Sequence, residues 1–560
     1  MLRDFLKEAA GFSTDRVLWD IGEISRFHRI QGSKELPEAA KFVAEELKVW
    51  GIDATIFEET YNGRERFLTL VSPIAWDLIG GEVQLQGRRM TTGETPLLVM
   101  AHSPPGEAEG EVIHVAGKED WEKAEGKIVL VGRDWREAYR KANEMGASAF
   151  IAYREGTGDA FPYIGLFLRR ADMEWAKIPA VTLPGSVVKE LLGKLTAGEK
   201  VVARVKVDAV VKERETLPMV YAEVGQAPYI LLTAHLCHPM PGANDNASGS
   251  AMLIELARVL SKLHSASFRF GFAFLWMPEY YGSQAFIERH ADPGKYYVAV
   301  NLDMVGGSPE VSGSTLMLVR PPLSRFSAAS GILEYFLDLS NSAGKSFSGE
   351  PTPAMPLRFY PYEMGSDHDV FNIFGVPSMM PITWPDRFYH SSADAVDKIS
   401  GRTLGIIGRA ALAALLALSR APVEEIGAFS RAYSLKYIGE LGMNGAIEVA
   451  PRLVLDGLHR DSKFLGFKLG RKLEERFWLR WKLKGILSPR EIEVREGRFR
   501  ELTRDRRVPT QLHELLMLGE ILPEEAVYKA LKEEFGACER EKLRELVSIL
   551  EENGMVEVVS

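Results

Sequence analysis

Cysteine is nearly absent from this sequence of 560 residues, which contains only Cys237 and Cys538. Two cysteines so far apart give no basis for a disulfide framework, and a reducing compartment is the expected setting. No secretory leader is expected either, because residues 1–8 carry charged side chains where a leader needs a continuous apolar stretch. We therefore expect a mature protein that resides in the cytoplasm.

Long hydrophobic runs and an excess of positive charge are also lacking. The longest apolar stretch, residues 404–419, contains Arg409 and is shorter than the ~20 residues of a membrane span, so it predicts a buried helix and no membrane association. The net charge of -9 gives no general attraction to nucleic acid. The basic stretch at 471–507 is interrupted by glutamates, which favours a solvated or subunit-contacting face over nucleic-acid binding.

The chain is too long for a single hydrophobic core, and 46% of its residues are hydrophobic, so several domains are expected. From about residue 80 to 210 the pattern consists of short β-rich runs with one helix, and after about residue 421 it becomes helical. We predict one domain made of 1–79 and 211–420, a β-rich insert at 80–210, and a helical or winged-helix-like C-terminal domain at 421–560.

Within the first of these domains, strands and helices alternate. Strands are predicted at 229–234, 268–276, 297–303 and 376–382, and helices at 248–263 and from Thr403 onward. This alternation predicts an α/β sheet covered by helices on both faces.

Five residues able to bind metal ions lie close to the predicted ends of these strands. His235, Glu279 and Asp303 each follow a strand, Asp245 lies in a glycine-rich loop that opens a helix, and His390 follows a further strand by a short loop. Ligands of α/β folds bind at the carboxyl edge of the strands, so we expect the five side chains to converge. Their nitrogen and carboxylate donors suit zinc, cobalt or manganese better than calcium or magnesium.

Two other interpretations of these motifs are weaker. The glycine-rich loop at 242–249 lacks the lysine of a phosphate-binding loop, and the Asp245 carboxylate would repel a phosphate. Cys237 and His238 are adjacent on an extended segment, so their side chains point to opposite sides and do not form a nucleophile and base pair. Metal binding is therefore the predicted role of this region.

Six short motifs follow one another between residues 219 and 400. In chain order they are His235-Leu-Cys, Gly242-Ala-Asn-Asp-Asn-Ala-Ser-Gly249, Glu279 with Gly282-Ser283, Asn301-Leu-Asp-Met-Val-Gly306, Ser366-Asp-His368 with Gly375-Val-Pro377, and Tyr389-His390 with Asp394. This series resembles the co-catalytic zinc peptidases, a family that includes bacterial leucyl aminopeptidases and glutamate carboxypeptidases. The resemblance implies an α/β/α sandwich with a mixed sheet and two zinc ions. It further implies that His235 and Asp303 bind one ion, that Glu279 and His390 bind the other, and that Asp245 bridges them.

The resemblance extends beyond the metal-binding segment. The insert at 80–210 is similar to a protease-associated domain, which several family members carry at this position. The motif Arg29-Ile-Gln-Gly-Ser33 is similar to the amino-terminal pattern of the family. A subgroup of similar prokaryotic proteins ends in a winged helix, which is what the resemblance implies for the C-terminal domain.

The chain departs from the family pattern around two of the motifs. The family has two adjacent glutamates, one a general base and one a ligand, where this chain has Pro278-Glu279. We favour Glu279 as the ligand, with Glu363 as a candidate base. The alternative is that Glu279 is the base and the second ion is loosely held or absent. Cys237 replaces an aspartate that orients the first histidine, which predicts an altered metal affinity. His238 is interpreted as a hydrogen-bonded loop residue, a spare ligand or a substrate contact.

These features predict a zinc-dependent exopeptidase, and the resemblance favours an aminopeptidase acting on peptides. A carboxypeptidase would need a guanidinium for the substrate carboxylate, for which Arg320, Arg325 and Arg358 are candidates. A single-zinc acyltransferase of the glutaminyl-cyclase kind and a non-catalytic binding protein are disfavoured because the full ligand set is present. We also expect a dimer or larger homo-oligomer, and a hydrophobic substrate pocket formed by residues 307–365.

Overall fold

The computed structural model describes residues 2–342, 344–443, 445, 447–469 and 477–559. The basic residues at 471–476 considered above lie outside these ranges. Two large sheets organise the described residues, one of eight strands and one of seven. The metal-binding motifs belong to the eight-stranded sheet and its loops.

The chain begins with helices and with strands that precede the seven-stranded sheet. These elements are α1 Asp4–Glu8, α2 Thr14–Ile24, α3 Glu35–Val49, β1 Ala54–Tyr61, β2 Arg66–Phe67 and β3 Leu70–Val71. The Ser13 side chain accepts a hydrogen bond from the backbone N–H of Arg16 and caps α2. Val17, Ile21 and Ile24 of α2 are buried at helical spacing, as expected for a helix that packs on a core.

The next segment forms the seven-stranded sheet. Its elements are β4 Ala75–Leu85, β5 Arg88–Thr91, β6 Gly106–His114, β7 Ile128–Val131, α4 Trp135–Glu144, β8 Ala149–Ala152, β9 Ala180–Thr182, α5 Gly185–Thr196 and β10 Val202–Lys212. The strand order is β5-β4-β10-β6-β7-β8-β9. Strands β6 to β9 run parallel, whereas β5, β4, β10 and β6 pair antiparallel. This sheet encloses a hydrophobic cluster distinct from that of the other segments.

The eight-stranded sheet takes most of its strands from the segment that follows. The elements are β11 Glu215–Val224, β12 Tyr229–His235, α6 Gly249–Leu263, β13 Gly271–Met277, α7 Tyr281–Arg289, β14 Tyr296–Asn301, α8 Pro309–Ser312, β15 Thr315–Val319, α9 Ala328–Ser342, β16 Leu357–Tyr360, α10 His368–Ile373, β17 Ser378–Trp384 and α11 Gly401–Arg420. The order is β1-β11-β13-β12-β14-β17-β15-β16. Parallel pairs join β13, β12, β14 and β17, and antiparallel pairs occur towards both edges.

The centre of this sheet explains the strong strand signal in the sequence. Every residue of β12, β13 and β14 is buried, as required of parallel strands that are covered on both faces. Their compositions are correspondingly apolar, for example Gly-Phe-Ala-Phe-Leu-Trp-Met in β13. The predicted α/β class with a mixed sheet is confirmed.

The C-terminal segment is mainly helical and packs on the eight-stranded sheet's domain. It contains α12 Val423–Gly442, α13 Ala450–Leu465, β18 Leu479–Trp481, α14 Glu496–Leu502, α15 Arg507–Gly519, α16 Glu524–Phe535, α17 Arg540–Glu552 and β19 Val556–Val558, with β18 and β19 paired antiparallel. Its buried apolar residues join the same cluster as those of the eight-stranded sheet. Ser324 donates from its backbone N–H (2.8 Å) and its hydroxyl (2.6 Å) to the Glu514 carboxylate, which fastens the two segments together.

Helix α11 is, among the described residues, the helix long and apolar enough to cross a membrane by length and composition. In the structure, 83% of the most apolar stretch of this helix is buried within the protein. It packs against α9, α6 and α2. It is therefore a core helix, as the sequence predicts.

Candidate metal centre

The five residues singled out in the sequence lie at or near the same edge of the eight-stranded sheet. His235 is the last residue of β12, Glu279 follows the end of β13 by two residues, and Asp303 follows the end of β14 by two residues. These three strands are parallel neighbours, so their carboxyl ends meet. Asp245 lies in the segment Ala243–Ser248 that precedes α6, where its own backbone angles are not helical, and His390 lies in the loop after β17.

Two groups of candidate ligand atoms share one aspartate. The first group is His235, Asp245 and Asp303, and the second is His238, Asp245 and His390; within each group the ligand atoms lie within 4.8 Å of one another. In the first, His235 Nε2 is 3.2 Å from Asp245 Oδ1 and 3.5 Å from Asp303 Oδ1. In the second, Asp245 Oδ2 is 3.3 Å from His238 Nε2 and 3.2 Å from His390 Nε2. Each carboxylate oxygen of Asp245 thus faces one group.

The buried polar atoms of both groups fit metal ions. Asp303 Oδ1 in the first group and His238 Nε2 in the second are buried and have no hydrogen-bond partner. Buried polar atoms of folded proteins are nearly always paired, so each orphaned atom calls for a partner. An ion bound by imidazole nitrogens and carboxylate oxygens would satisfy both atoms, and this donor set suits zinc.

The charges of the site reinforce this fit. Burial opposes ionisation of Asp245, but the charge of His238 and the close approach of the His235, His238 and His390 rings hold the pKa of Asp245 well below its usual range. Burial likewise opposes protonation of His235, yet the charges of Asp303 and Glu279 raise the pKa of His235 well above its usual range. The surroundings that favour a proton on His235 would equally favour a divalent cation.

Hydrogen bonds fix the orientation of two of the histidines. His235 Nδ1 donates to the backbone carbonyl of Cys237 (3.0 Å), and His238 Nδ1 donates to the carbonyl of Pro239 (2.9 Å). In each ring Nε2 is therefore left as the atom that can bind an ion. The backbone carbonyl of Cys237 thus orients His235, which is the role that an aspartate side chain at position 237 has in the family pattern.

A buried arginine and an aspartate hold the loop that carries the ligands. Arg29, from the motif at 29–33, donates to the carbonyls of Leu236 (2.8 Å) and Gly242 (3.2 Å). The carboxylate of Asp394 accepts the backbone N–H groups of Asn244 (2.8 Å) and Asp245 (3.0 Å). The motifs at both ends of the chain segment thus act on the same loop.

The insert contacts the second group directly. The ring of Tyr163 lies 5.0 Å from the ring of His238 and 4.9 Å from that of His390, measured between centroids. The backbone N–H of Tyr163 also donates to the carbonyl of His390 (2.7 Å). His390 has a φ of 51°, an uncommon value for a residue other than glycine, which this bond helps to maintain.

Glu279 contributes no atom to either group, although it lines the same cavities. Its backbone N–H donates to the thiol sulfur of Cys237 (3.1 Å), and its carbonyl accepts from Gln31 Nε2 (3.3 Å). Burial raises the pKa of the Glu279 carboxyl well above its usual range; the charge of His235 opposes this shift and that of Asp303 adds to it. The Glu279 carboxylate therefore lies next to the candidate ligands and binds a proton more readily than an ordinary glutamate does.

The structure weakens the case for Glu363 as a catalytic residue and strengthens the case for His238 as a metal ligand. Glu363 is exposed and lines the outer part of one cavity with Glu279. His238 completes the second group, where the sequence had placed Glu279. The available signal was the position of His238 three residues after His235 at the end of one strand, but the sequence did not indicate which way either ring points.

Two cavities meet at the candidate centre, and both are lined by Asp245, Glu279, Tyr280 and His390. One has a volume of about 440 Å³. Its apolar lining includes Met304, Met317, Val319, Met380, Ile382 and Trp384. Met317 and Val319, together with Met364, which also lines this cavity, belong to the range 307–365 in which the hydrophobic pocket was predicted, whereas β17 and the segment just after β14 supply the others.

The other cavity has a volume of about 650 Å³ and is lined by residues of the insert and the C-terminal segment as well. Of the arginines proposed to hold a carboxylate, Arg320 and Arg325 line neither cavity. Arg320 pairs with Glu334 (2.6 Å), and Arg325 donates to the carbonyl of Asn372 (2.9 Å). Arg358 lines a third cavity of about 610 Å³.

Comparisons with known proteins agree with this fold. Residues 219–415 match the family model described as Peptidase family M28. A curated relative from Clostridium acetobutylicum, the "Putative polysaccharide biosynthesis protein with aminopeptidase-like domain", is 41% identical over 63 residues, which cover 11% of this chain and 14% of that protein. The match therefore spans about one seventh of the relative's length.

Solved structures share the fold at low sequence identity. A zinc aminopeptidase from Bacillus subtilis has a TM-score of 0.54 and 21% identity, and the match covers 73% of this chain and 96% of that one. A "putative peptidase" from Clostridium acetobutylicum has a TM-score of 0.53 and 14% identity, and the match covers 100% of this chain and 98% of that one. The second likeness extends over the C-terminal segment. Residues 219–415 thus carry the features of peptidase family M28, on the fold that zinc aminopeptidases also have.

Proposed function

We propose that the protein is a zinc-dependent exopeptidase that removes amino-terminal residues from peptides. The observation that supports this most is Asp245, whose two oxygens lie 3.2–3.3 Å from histidine nitrogens of two separate groups. A shared carboxylate of this kind is what a two-metal hydrolytic site requires. The match to peptidase family M28 gives the same reaction class.

The ligand assignment follows from the two groups. His235, Asp245 and Asp303 would hold one zinc ion, and His238, Asp245 and His390 the other. A complete second group argues against a single-zinc acyltransferase. Bound zinc supplies Lewis-acid polarisation of the scissile carbonyl and lowers the pKa of the attacking water.

In this assignment Glu279 is the general base. Its carboxylate is not needed as a ligand, lies on both cavities and has an environment that favours protonation. It would accept a proton from the attacking water and pass it to the nitrogen of the leaving amine. Glu363 is exposed and belongs to the outer wall, which makes it the weaker candidate.

We also propose identities for the insert and for the C-terminal segment. The separate sheet and hydrophobic cluster between β4 and β10 support a protease-associated domain. The four helices from α14 to α17 with the β18–β19 pair support a helical or winged-helix-like appendage. A cytoplasmic location and assembly into dimers or larger oligomers stay predictions from the sequence.

The direct test measures release of free amino acids from a panel of unblocked peptides and from the same peptides with acetylated amino termini. With zinc present we expect cleavage of the unblocked set alone, and none after chelation. Cleavage of both sets from the carboxyl end would instead indicate a carboxypeptidase. No cleavage of either set by zinc-loaded protein would contradict the exopeptidase assignment.

A further inference from the structure

The larger cavity at the candidate centre has arginines on its outer walls. Arg136 comes from the first turn of α4, Arg154 follows β8, and Arg490 lies between β18 and α14. The insert and the C-terminal segment thus both bring guanidinium groups to the cavity that also contains Glu279 and His390. The proposed reaction assigns no role to them.

None of these three arginines has a carboxylate partner within 4.0 Å among the residues that the structure describes. Arg136 Nε donates to the carbonyl of Gly165 (2.9 Å), and Arg154 donates to that of Tyr389 (3.2 Å). Arg490 donates to the carbonyls of Phe167 (2.8 Å) and Leu166 (3.2 Å). A guanidinium has five N–H donors, so each retains donors beyond these bonds.

The carboxylates nearby are committed elsewhere. Glu137, next to Arg136 in the chain, pairs with Arg500. Glu491, next to Arg490, pairs with Arg169 and with Arg66. Asp134 lines the same cavity, but its exposed carboxylate forms no ion pair with the three. Among the described residues, none of the three guanidinium groups is therefore held in an ion pair with a carboxylate of the protein.

Arg136 and Arg490 also repel each other. Burial, together with the charge of the Arg136 guanidinium, lowers the pKa of Arg490 to about 10. Groups with perturbed pKa values cluster at functional sites, and a ligand of opposite charge between the two guanidinium groups would offset their repulsion. A carboxylate matches this need best, since two N–H groups of one guanidinium can bind its two oxygens side by side.

We propose that Arg136 and Arg490 bind a carboxylate of the peptide substrate on the leaving side of the scissile bond. The inference rests on the proposed function and names its substrate class: peptides that carry a carboxylate just beyond the bond, either a free C-terminus in a short peptide or an acidic side chain. The amino-terminal side chain then occupies the apolar cavity on the other side of the centre. A volume of about 650 Å³ is enough for a short peptide.

The experiment compares kcat/KM for four peptides: Leu-Gly, Leu-Gly-amide, Leu-Glu-amide and Leu-Gln-amide. A charge-assisted hydrogen bond predicts that Leu-Gly exceeds its amide, or that Leu-Glu-amide exceeds Leu-Gln-amide, by about 10- to 100-fold. The first preference identifies the C-terminal carboxylate as the ligand, and the second identifies a side-chain carboxylate. Equal rates within both pairs would overturn the inference while leaving the exopeptidase assignment intact.

Arg136→Gln removes the charge from an exposed position, so the fold should tolerate it. We expect the preference to fall to less than about threefold through a rise in KM, and Arg136→Lys to restore part of it. The matched control is Arg140→Gln on the same helix, because Arg140 pairs with Glu144 (3.1 Å) outside the cavity. A preference that survives Arg136→Gln would contradict the assignment of Arg136.

If no peptide is cleaved, the proposed function is contradicted, and a binding measurement then tests the carboxylate site separately. Calorimetric titration of the zinc-loaded protein with Leu-Gly and with Leu-Gly-amide measures the same preference without turnover. Tighter binding of the free acid that is lost in Arg136→Gln would sustain the carboxylate site. Equal affinity for the two compounds would rule it out.

Discussion

The two halves of the candidate centre differ in how the fold supports them. His235 and Asp303 of the first group lie at the ends of central strands, and their side chains are 3% and 8% exposed. His238 and His390 of the second group lie in loops, and the His390 side chain is 28% exposed. Tyr163 of the insert packs against both loop histidines. A ligand at a strand end is positioned by the sheet itself, whereas a loop ligand depends on contacts from other segments.

Asp245→Asn should have the largest effect, because this residue is common to both halves. An amide cannot offer two anionic oxygens, so we expect zinc content to fall from two ions per chain to less than one. Activity on unblocked peptides should fall by about 10³-fold or more. Metal analysis and initial rates check both. Asp292→Asn, in an exposed turn, is the control and should retain zinc and activity. Retention of two tightly bound ions by Asp245→Asn would refute the bridging role.

Glu279→Gln distinguishes a base from a ligand. If Glu279 is the base, kcat should fall by about 10²- to 10⁴-fold while zinc content stays unchanged. If it is a ligand, as the sequence favoured, one zinc ion should be lost together with the activity. Glu363→Gln is the matched control, since Glu363 lies on the outer wall. A larger loss of rate in the control than in Glu279→Gln would transfer the role of base to Glu363.

His238→Ala separates the two halves. It should weaken the second ion by more than about 100-fold and leave the first ion bound, because His235, Asp245 and Asp303 are untouched. His235→Ala should do the opposite. Equilibrium dialysis with zinc, or the absorption of cobalt-substituted protein, counts the ions that remain. His290→Ala serves as control, since that ring stacks on Phe57 and belongs to neither group of candidate ligands. If His238→Ala still binds two ions fully, His238 is not a ligand and is a hydrogen-bonded loop residue instead.

The difference between the halves also explains what the sequence could predict. The strands β12, β13 and β14 are continuous apolar runs, so their positions and the α/β class follow from burial on both faces. His235 and Asp303, which sit at or just beyond two of these strand ends, could therefore be placed at one edge of the sheet. Of the second group, Asp245 and His390 were identified as ligands from their places in a glycine-rich loop and after a strand, whereas a spare ligand was one of three interpretations of His238.

The role of His238 was not predictable because it depends on a ring orientation. Its Nδ1 donates to the carbonyl of Pro239, and Tyr163 packs from more than 70 residues away in the chain, which turns Nε2 towards Asp245. The cavity walls pose the same difficulty. Arg490, from a stretch interpreted as a solvated or subunit-contacting face, lines the larger cavity, since the C-terminal segment packs over the insert. Contacts between distant segments leave no periodic pattern in a sequence.

Cys237→Ala should have the smallest effect, and it tests how the first half is oriented. His235 Nδ1 donates to the backbone carbonyl of residue 237, which the substitution keeps. The affinity of the first zinc ion should therefore change by less than about tenfold, the lower end of what removing an orienting partner costs. Because the thiol accepts the backbone N–H of Glu279, the rate should fall by a few fold more than the affinity does. A loss of the first ion would mean that the sulfur, and not the carbonyl, takes the place of the family's aspartate.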